Sequence, residues 1–224
     1  MGKQRYYEAY DLRYRQVHGQ GLEWFSGMPT PIVAEALQKC GISPETPMLE
    51  IGCGEGHDAA FLLGKGCNLL ATDVSPAAVD FCRAKYPEWA EHFDVLDALA
   101  DPLEARFDFI YAVAVLHMLV PDEDRNRLLT FIREHLTENG FGLVVTMGDG
   151  EMQRATDITK AFDVQARVHE GSGKTVEIAS TSCRIVTRDD FRREIEGAGL
   201  VITEMGDAVW DDVPFAMYAI VKRG

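Results

Sequence analysis

Short apolar runs alternate with longer amphipathic segments along this 224-residue chain, and this alternation constrains the fold more than any other feature. The order strand, helix, strand, helix is typical of a parallel sheet that is covered by helices on both faces. Seven runs have the length and composition of buried strands, and they cover residues 47–52, 68–73, 91–96, 107–113, 142–147, 200–205 and 215–222. We therefore predict an α/β fold built on one seven-stranded sheet.

Four segments between these runs have a helical pattern, and they cover residues 58–66, 75–86, 121–140 and 187–199. Ser75 and Thr187 stand at the N-cap positions of two of these helices, because their hydroxyls can accept from free backbone N–H groups. Gly140 and Gly197 stand near the predicted C-terminal ends.

Two segments do not fit the alternation, the first 30 residues and residues 148–186, which contain GDG and EGSGK breaks. A chain of 224 residues with 46% apolar content is long enough for one core but too short for two ordinary domains. We predict a single domain over residues 1–224. In it, an N-terminal arm (1–30) and an insertion after the fifth strand (148–186) form a lid over the substrate.

The composition narrows the range of partners. The formal charge of −14 repels a phosphate backbone, so we predict no nucleic-acid partner. The five cysteines include no close CxxC pair, which indicates free thiols in a reducing cytoplasm and no metal site. There is no signal-peptide core and no apolar run of roughly 20 residues, so we expect a soluble cytoplasmic protein without a membrane partner, as a monomer or a homodimer.

The segment MLEIGCGEGHD, residues 48–58, carries the most chemical information. An apolar strand runs directly into Gly52, Gly54 and Gly56, whose lack of a side chain lets the backbone turn sharply beside a ligand. The dinucleotide-binding motif GxGxxG occurs at the same point of a similar fold, but here His57 occupies the position of its last glycine. Glu50, on the strand before the turn, would repel an anionic ligand.

Two acidic residues follow at the ends of the next strands. Asp73 ends the second strand, where a carboxylate can accept from both hydroxyls of a ribose. Asp97 ends the third strand, where it can accept from an adenine amino group. Each has the alternative role of a helix cap or turn former. Together their spacing indicates one adenosine held at three strand ends.

The ordered series LEIGCGEG, ATDVSP, DVLDAL and FDFIYAVAVLHML, within residues 47–147, resembles the motifs of class I S-adenosylmethionine-dependent methyltransferases. The resemblance implies the sheet order 3-2-1-4-5-7-6 with an antiparallel last strand. It implies S-adenosylmethionine as cofactor and S-adenosylhomocysteine as product. The implied cofactor positions are Glu50, Gly52, Cys53, Gly54 and Gly56 for the methionine end, Asp73 and Val74 for the ribose, Asp97 and Ala98 for the adenine, and Val113 and Ala114 for the methionine amino group.

Several residues are candidates for contact with the methyl acceptor. His117 follows the fourth strand and is either a general base or a packed structural histidine. Asp149 and His169 lie in or beside the insertion. The aromatic arm, including Tyr10, Tyr14 and Trp24, either closes over cofactor and substrate or covers the sheet edge.

Tyr6, Tyr10 and Tyr14 recur every four residues, so a helix places them in one stripe with Arg13 and Arg15 turned away from it.

The sequence thus predicts a methyltransferase that acts on an O, N or S atom of a small molecule by in-line displacement. Two alternatives remain open. One is a non-catalytic or chemically different S-adenosylmethionine-binding protein, and the other is an NAD-dependent oxidoreductase, which His57 disfavours.

Overall fold

A seven-stranded sheet forms the centre of the computed structural model, which describes residues 4–24, 28–169, 171–210 and 213–224. The strands of this sheet are β1 (Met48–Ile51), β2 (Leu69–Asp73), β3 (Phe93–Val95), β4 (Phe107–Val113), β5 (Leu136–Met147), β10 (Leu200–Trp210) and β11 (Val213–Arg223). Their spatial order is β3-β2-β1-β4-β5-β11-β10, and β11 is antiparallel to both of its neighbours. The predicted fold class and strand order are therefore confirmed.

Helices cover both faces of the sheet, as the alternation predicts. They are α1 (Ala9–His18), α2 (Pro31–Cys40), α3 (His57–Leu63), α4 (Pro76–Lys85), α5 (Asp122–His135) and α6 (Arg188–Gly197). Successive residues of β4 enter different apolar clusters, Phe109 with α2 and α3 residues and Ile110 with α5 and α6 residues. Both predicted N-caps are confirmed, because Ser75 accepts from the N–H of Ala78 and Thr187 from that of Asp190.

The predicted helix over residues 121–140 is wrong in its last turn. Helix α5 ends at His135, and β5 begins at once with Leu136, which pairs with Phe107 of β4. Gly140 therefore lies in a strand and not at a helix end, and a Cβ atom there would come within 3.1 Å of the Phe107 carbonyl oxygen. Pairing with β4 overrides the helical pattern of these five positions, as tertiary contacts override local propensity.

Helix α2 was not predicted, although the chain carries its end signals. Pro31 stands in the first turn, and Gly41 takes a left-handed conformation (φ 66°) after the last turn.

The arm and the insertion pack against each other. The insertion contains the paired strands β6 (Arg154–Ala155) and β9 (Arg184–Ile185) and the hairpin of β7 (Val164–Val168) and β8 (Thr175–Ala179). Helix α1 lies on β8, with Ala9 and Val17 fully buried, and Gln16 accepts from the N–H of Ala179. Residues 1–3 and 25–27 of the predicted arm and residue 170 of the insertion lie outside the described residues.

Within the described part of the chain, none of the helices is long and apolar enough to cross a membrane. The five cysteines, all of which are described, are unpaired.

Candidate functional site

The glycine-rich turn after β1 is tight because its neighbours leave no space for side chains. Gly52 has a φ of 75°, and a Cβ atom there would stand 2.3 Å from Cγ2 of Val115. Gly54 has a φ of 54°, and its Cβ would stand 2.8 Å from the hydroxyl of Tyr14. Both positions need a left-handed conformation and a close approach of another chain segment, which only glycine tolerates without strain.

Asp73 connects the end of β2 to this turn. One carboxylate oxygen accepts from the N–H of Gly54 at 2.9 Å and the other from the N–H of Ser75 at 2.8 Å. Burial raises the pKa of Asp73 to about 6, although the two backbone hydrogen bonds act in the opposite direction. The carboxylate is thus fixed in place, and a further donor there would favour its ionised form.

Asp97, after β3, is approached by the N-terminal arm. Tyr7 donates to one of its carboxylate oxygens at 3.0 Å, and Arg5 forms an ion pair with the same oxygen. The other oxygen accepts from the N–H of Leu99 at 2.9 Å. The arm therefore reaches the strand edge at the position that the motif series assigns to the adenine.

A first cavity of about 190 Å³ lies between the strand ends and the arm. Most of the predicted cofactor positions line it. These are Gly52, Asp73, Val74, Asp97, Ala98, Val113, Ala114, Tyr10 and Tyr14. The structure thus brings together residues that are up to 104 positions apart in the sequence, from Tyr10 to Ala114.

A second cavity of about 300 Å³ adjoins the first. The two cavities share Tyr10, Tyr14, Gly52, Val113, Ala114 and Met118. The second cavity is also lined by Glu50, Cys53, Gly54, Trp24 and His117 from the predicted set. Predicted cofactor and acceptor residues therefore meet at one junction.

Glu50 is the most unusual acid of the second cavity. The residue is 3% exposed, and its nearest donor is the hydroxyl of the buried Tyr111. Burial and then the neighbouring Asp58 raise the pKa of Glu50 well above its ordinary value, although the Tyr111 hydroxyl lowers it, and burial raises the pKa of Asp58 to about 6. A cation placed beside these two acids would relieve the cost of ionising them.

His117 lies in the short 3₁₀ turn Leu116–Met118 after β4. Its Nδ1 atom is buried with no hydrogen-bond partner in the described structure. Burial and the charge of Arg125 lower the pKa of His117 to about 4, so the ring is neutral at pH 7. Arg125 also fixes the turn, because it donates to the carbonyl of Leu116 at 2.6 Å and forms a buried ion pair with Glu194.

Three predicted site residues do not line either cavity. Gly56 is the N-cap of α3. Its Cβ position faces Cys82 and Phe93 and not a cavity. Asp149 lies in a separate hollow with Phe215, since its carboxylate is used by the N–H groups that follow it. His169 is a structural histidine of the β7–β8 hairpin, bonded to Ser172 and to the carbonyl of Glu23.

The predicted arm stripe is wrong in two respects. Tyr6 points away from both cavities, because its hydroxyl donates to Asp124 at 2.9 Å and accepts from the N–H of Val120. Arg13 is not turned away but is 7% exposed and lines the second cavity, whereas the side chain of Arg15 is 65% exposed as expected.

The sequence reasoning did not assign several further lining residues. They are Ile51, Leu96, Leu99, Val115, Leu119 and Leu128 in the first cavity, Arg13, Met28, Thr30, Glu55, Asp58 and Met147 in the second, and Met118 in both. The sequence does indicate a cavity position for Glu55 and Asp58, because burying acids so close to a ligand-binding turn costs free energy unless they serve binding. The sequence does not indicate which apolar residues line a cavity, since leucines in the core and leucines in a pocket recur with the same spacing.

Comparison with known proteins supports the fold and the motifs. Residues 49–141 match the family model described as a methyltransferase domain. The crystal structure of 1,6-didemethyltoxoflavin-N1-methyltransferase from Burkholderia thailandensis, with S-adenosylhomocysteine bound, superposes with a TM-score of 0.69 at 16% identity, over 100% of this chain and 92% of that one. The matched residues thus belong to a methyltransferase domain, and the chain has the fold of the class I S-adenosylmethionine-dependent methyltransferases.

Two sequence relatives match part of this chain. "Hemagglutinin 1" of Eikenella corrodens is 33% identical over 110 residues, which are 45% of this chain and 34% of that protein. Magnesium-protoporphyrin O-methyltransferase of Rhodobacter capsulatus is 29% identical over 82 residues, which are 35% of this chain and 36% of that protein. The matches thus span about a third of the length of these relatives.

Proposed function

We propose that this methyltransferase transfers the methyl group of S-adenosylmethionine to an oxygen, nitrogen or sulfur atom of a small molecule. The observation that carries the proposal is the junction of the two cavities at Gly52, Val113 and Ala114. Two acids suited to an adenosine lie on one side of this junction, and a neutral histidine lies on the other. That arrangement suits a cofactor whose reactive end faces a second ligand.

The cofactor fits the residues that are present. Asp73 would accept from the ribose hydroxyls, Asp97 with Ala98 would hold the adenine, and Glu50 would accept from the methionine ammonium group. The burial of Glu50 beside Asp58 supports this assignment, because two buried acids favour a cationic ligand. When bound, S-adenosylmethionine supplies a methyl group on a positively charged sulfur.

The protein's own contribution is chiefly alignment and exclusion of water. The arm tyrosines Tyr10 and Tyr14 wall both cavities, so cofactor and acceptor meet in a covered space. His117 accepts the acceptor's proton. A histidine with a pKa of about 4 suffices for this role when the acceptor is a hydroxyl, because the O–H group becomes strongly acidic once its oxygen bonds to the methyl group.

The names of similar proteins support a small-molecule acceptor. One acts on magnesium-protoporphyrin and another binds 1,6-didemethyltoxoflavin. The net charge of −14 supports the absence of a nucleic-acid partner, and the unpaired thiols support a cytoplasmic location. We propose that the protein acts as a single domain, as a monomer or a homodimer, with the arm and residues 148–186 as its lid.

The decisive experiment is a thermal-shift titration with S-adenosylmethionine, S-adenosylhomocysteine and NAD, followed by detection of S-adenosylhomocysteine with a panel of acceptors. Ligands that bind only the folded state raise the melting temperature. We expect a shift with the first two compounds, none with NAD, and product with at least one acceptor. No shift at millimolar S-adenosylmethionine contradicts the proposal, and binding without turnover on any acceptor favours a non-catalytic S-adenosylmethionine-binding protein.

A further inference from the structure

The side chain of Arg13 carries a buried positive charge in the wall of the second cavity. The residue is 7% exposed. Its Nε and Nη2 atoms donate to the carbonyl of Ala179 at 3.2 and 2.9 Å. Nη2 also donates to the carbonyl of Ser180 at 2.8 Å and to the hydroxyl of Thr181 at 2.6 Å. The guanidinium is thus held firmly against the end of β8.

These contacts orient the charge but do not neutralise it. Arg13 forms no ion pair with any described residue, and its Nη1 atom makes no hydrogen bond within the described structure. The charged residue that acts most strongly on its pKa is Arg167, a second cation, which lowers it. The other deeply buried arginine of this fold, Arg125, has a carboxylate partner in Glu194 at 2.6 Å. A buried charge without a partner is expensive, so the absence of one at Arg13 needs a reason.

Two aromatic rings shape the space around this guanidinium. Its Cζ atom lies 4.7 Å from the ring centroid of Trp24 and 5.4 Å from that of Tyr10. Both rings line the second cavity together with Arg13. These two ring contacts restrict the orientation of the planar guanidinium, which suits recognition of a planar anion by its free N–H groups.

We propose that Arg13 binds a carboxylate of the methyl acceptor, so that the acceptor is an organic anion. This inference rests on the proposed function and names the substrate class of the same site. The carboxylate would take the N–H groups of Nη1 and supply the counter-charge that the chain does not.

The methionine end of the cofactor also has a carboxylate, but the geometry favours the acceptor. Tyr14 is directed at the glycine turn, where its hydroxyl lies 2.8 Å from the Cβ position of Gly54. Consecutive residues on a helix diverge by about 100°. Arg13 accordingly bonds to residues 179–181 of the insertion, whereas Tyr14 meets the turn, and both side chains line the second cavity.

The test measures the binding of benzoate and benzamide to the protein saturated with S-adenosylhomocysteine, by calorimetry. The two probes have the same shape and differ in charge. We expect benzoate to bind at least about tenfold more tightly than benzamide, and Arg13→Gln to remove this preference. Arg13→Lys keeps the charge and should keep part of the preference. Arg15→Gln, which removes a charge from the exposed face of the same helix, is the matched control and should change neither affinity.

The outcomes separate this inference from the proposed function. If S-adenosylhomocysteine does not bind the wild-type protein, the proposed function fails. If it binds but benzoate is not preferred over benzamide, the acceptor inference alone fails.

If Arg13→Gln weakens S-adenosylhomocysteine about tenfold but leaves 5′-methylthioadenosine unchanged, Arg13 binds the carboxylate of the cofactor, and the acceptor assignment is overturned. If Arg13→Gln does not fold, the same binding measurements are made with Arg13→Lys. If that variant prefers benzoate as strongly as the wild type but binds S-adenosylhomocysteine more weakly, the acceptor assignment is also overturned.

Discussion

The carboxylate of Asp73 accepts a hydrogen bond of 2.9 Å from the backbone N–H of Gly54, which fixes the end of β2 to the turn that follows β1. This contact places an acid of the first cavity directly beside Gly54, which borders the second cavity. The arrangement couples the shape of the turn to the position of the proposed ribose acceptor.

Asp73→Ala should therefore weaken binding of S-adenosylhomocysteine by roughly 2 to 4 kcal/mol, because it removes the acceptor of two buried hydroxyls. Calorimetric titration measures the change, and circular dichroism checks that the variant is folded. Asp94→Ala, which removes an exposed acid from neighbouring β3, is the matched control and should bind normally. Unchanged affinity in a folded Asp73→Ala variant contradicts the ribose role.

The affinity for the cofactor should rise with pH between pH 5 and 7. Burial raises the pKa of Asp73 to about 6, so in the ligand-free protein its stabilising contribution is present below about pH 4 and is lost as the pH rises through about 6. Ribose hydroxyls favour the ionised carboxylate, and binding therefore releases a proton in this range. We expect an increase in affinity of about tenfold and proton release in buffers of different ionisation enthalpy. Asp73→Asn should reduce this dependence, and Asp58, whose pKa burial also raises to about 6, should account for the remainder. A flat profile in the wild type would rule the mechanism out.

Gly52→Ala should destabilise the fold by at least about 2 kcal/mol, since it adds backbone strain at a φ of 75° to a clash with Val115. Gly66→Ala is a matched control, because Gly66 has a φ of 79° but no atom within 4 Å of its Cβ position. The difference in urea unfolding between the two variants measures the clash. Adding Val115→Ala should recover part of the loss, and equal destabilisation of the two single variants would show that the close approach is unimportant.

His117→Ala should lower turnover by up to about 100-fold with little change in cofactor affinity. The wild-type rate should show no histidine step between pH 5 and 8, because burial keeps the pKa of His117 near 4. Steady-state kinetics on an acceptor found by the panel provide the measurement, with His92→Ala, which lies outside both cavities, as the control. Near-normal turnover would identify His117 as a structural residue.

Deletion of residues 1–18 should abolish most cofactor affinity, because it removes Tyr10 and Tyr14 from the walls of both cavities. The sequence alone suggests little loss of melting temperature. The burial of Ala9, Arg13 and Val17 against the insertion leads us to expect a clear decrease of several degrees. The central sheet should persist, since none of its strands pairs with the arm. Cofactor binding at wild-type affinity by the truncated protein would contradict the lid.

The features of this fold that could be predicted are those that depend on residues close together in the sequence. Ser75 and Thr187 cap their helices through hydroxyl contacts within three residues, so the sequence contains the whole interaction. Gly140 shows the opposite case. Its surroundings depend on Phe107 and Asp108 of another strand, and the helical pattern before it gave no sign of that pairing.

The residues of the site also fall into a predictable and an unpredictable group. The acids at strand ends were predictable because parallel strands bring their carboxyl ends to one edge, whatever the packing around them. Asp149 and His169 were not, since their distance from the cavities depends on how the insertion folds.

The sequence by itself determined the succession of strands and helices along the chain and the residues at the glycine turn, because periodicity and turn chemistry act over a few neighbouring positions. The spatial order of the strands followed only from the resemblance to a known family. The tertiary structure alone decided which residues of the arm face the ligand. Arg13 and Tyr14 are adjacent in the chain, yet one meets the insertion and the other the glycine turn. That choice depends on where helix α1 docks on β8, a contact between segments more than 150 residues apart that no local pattern specifies.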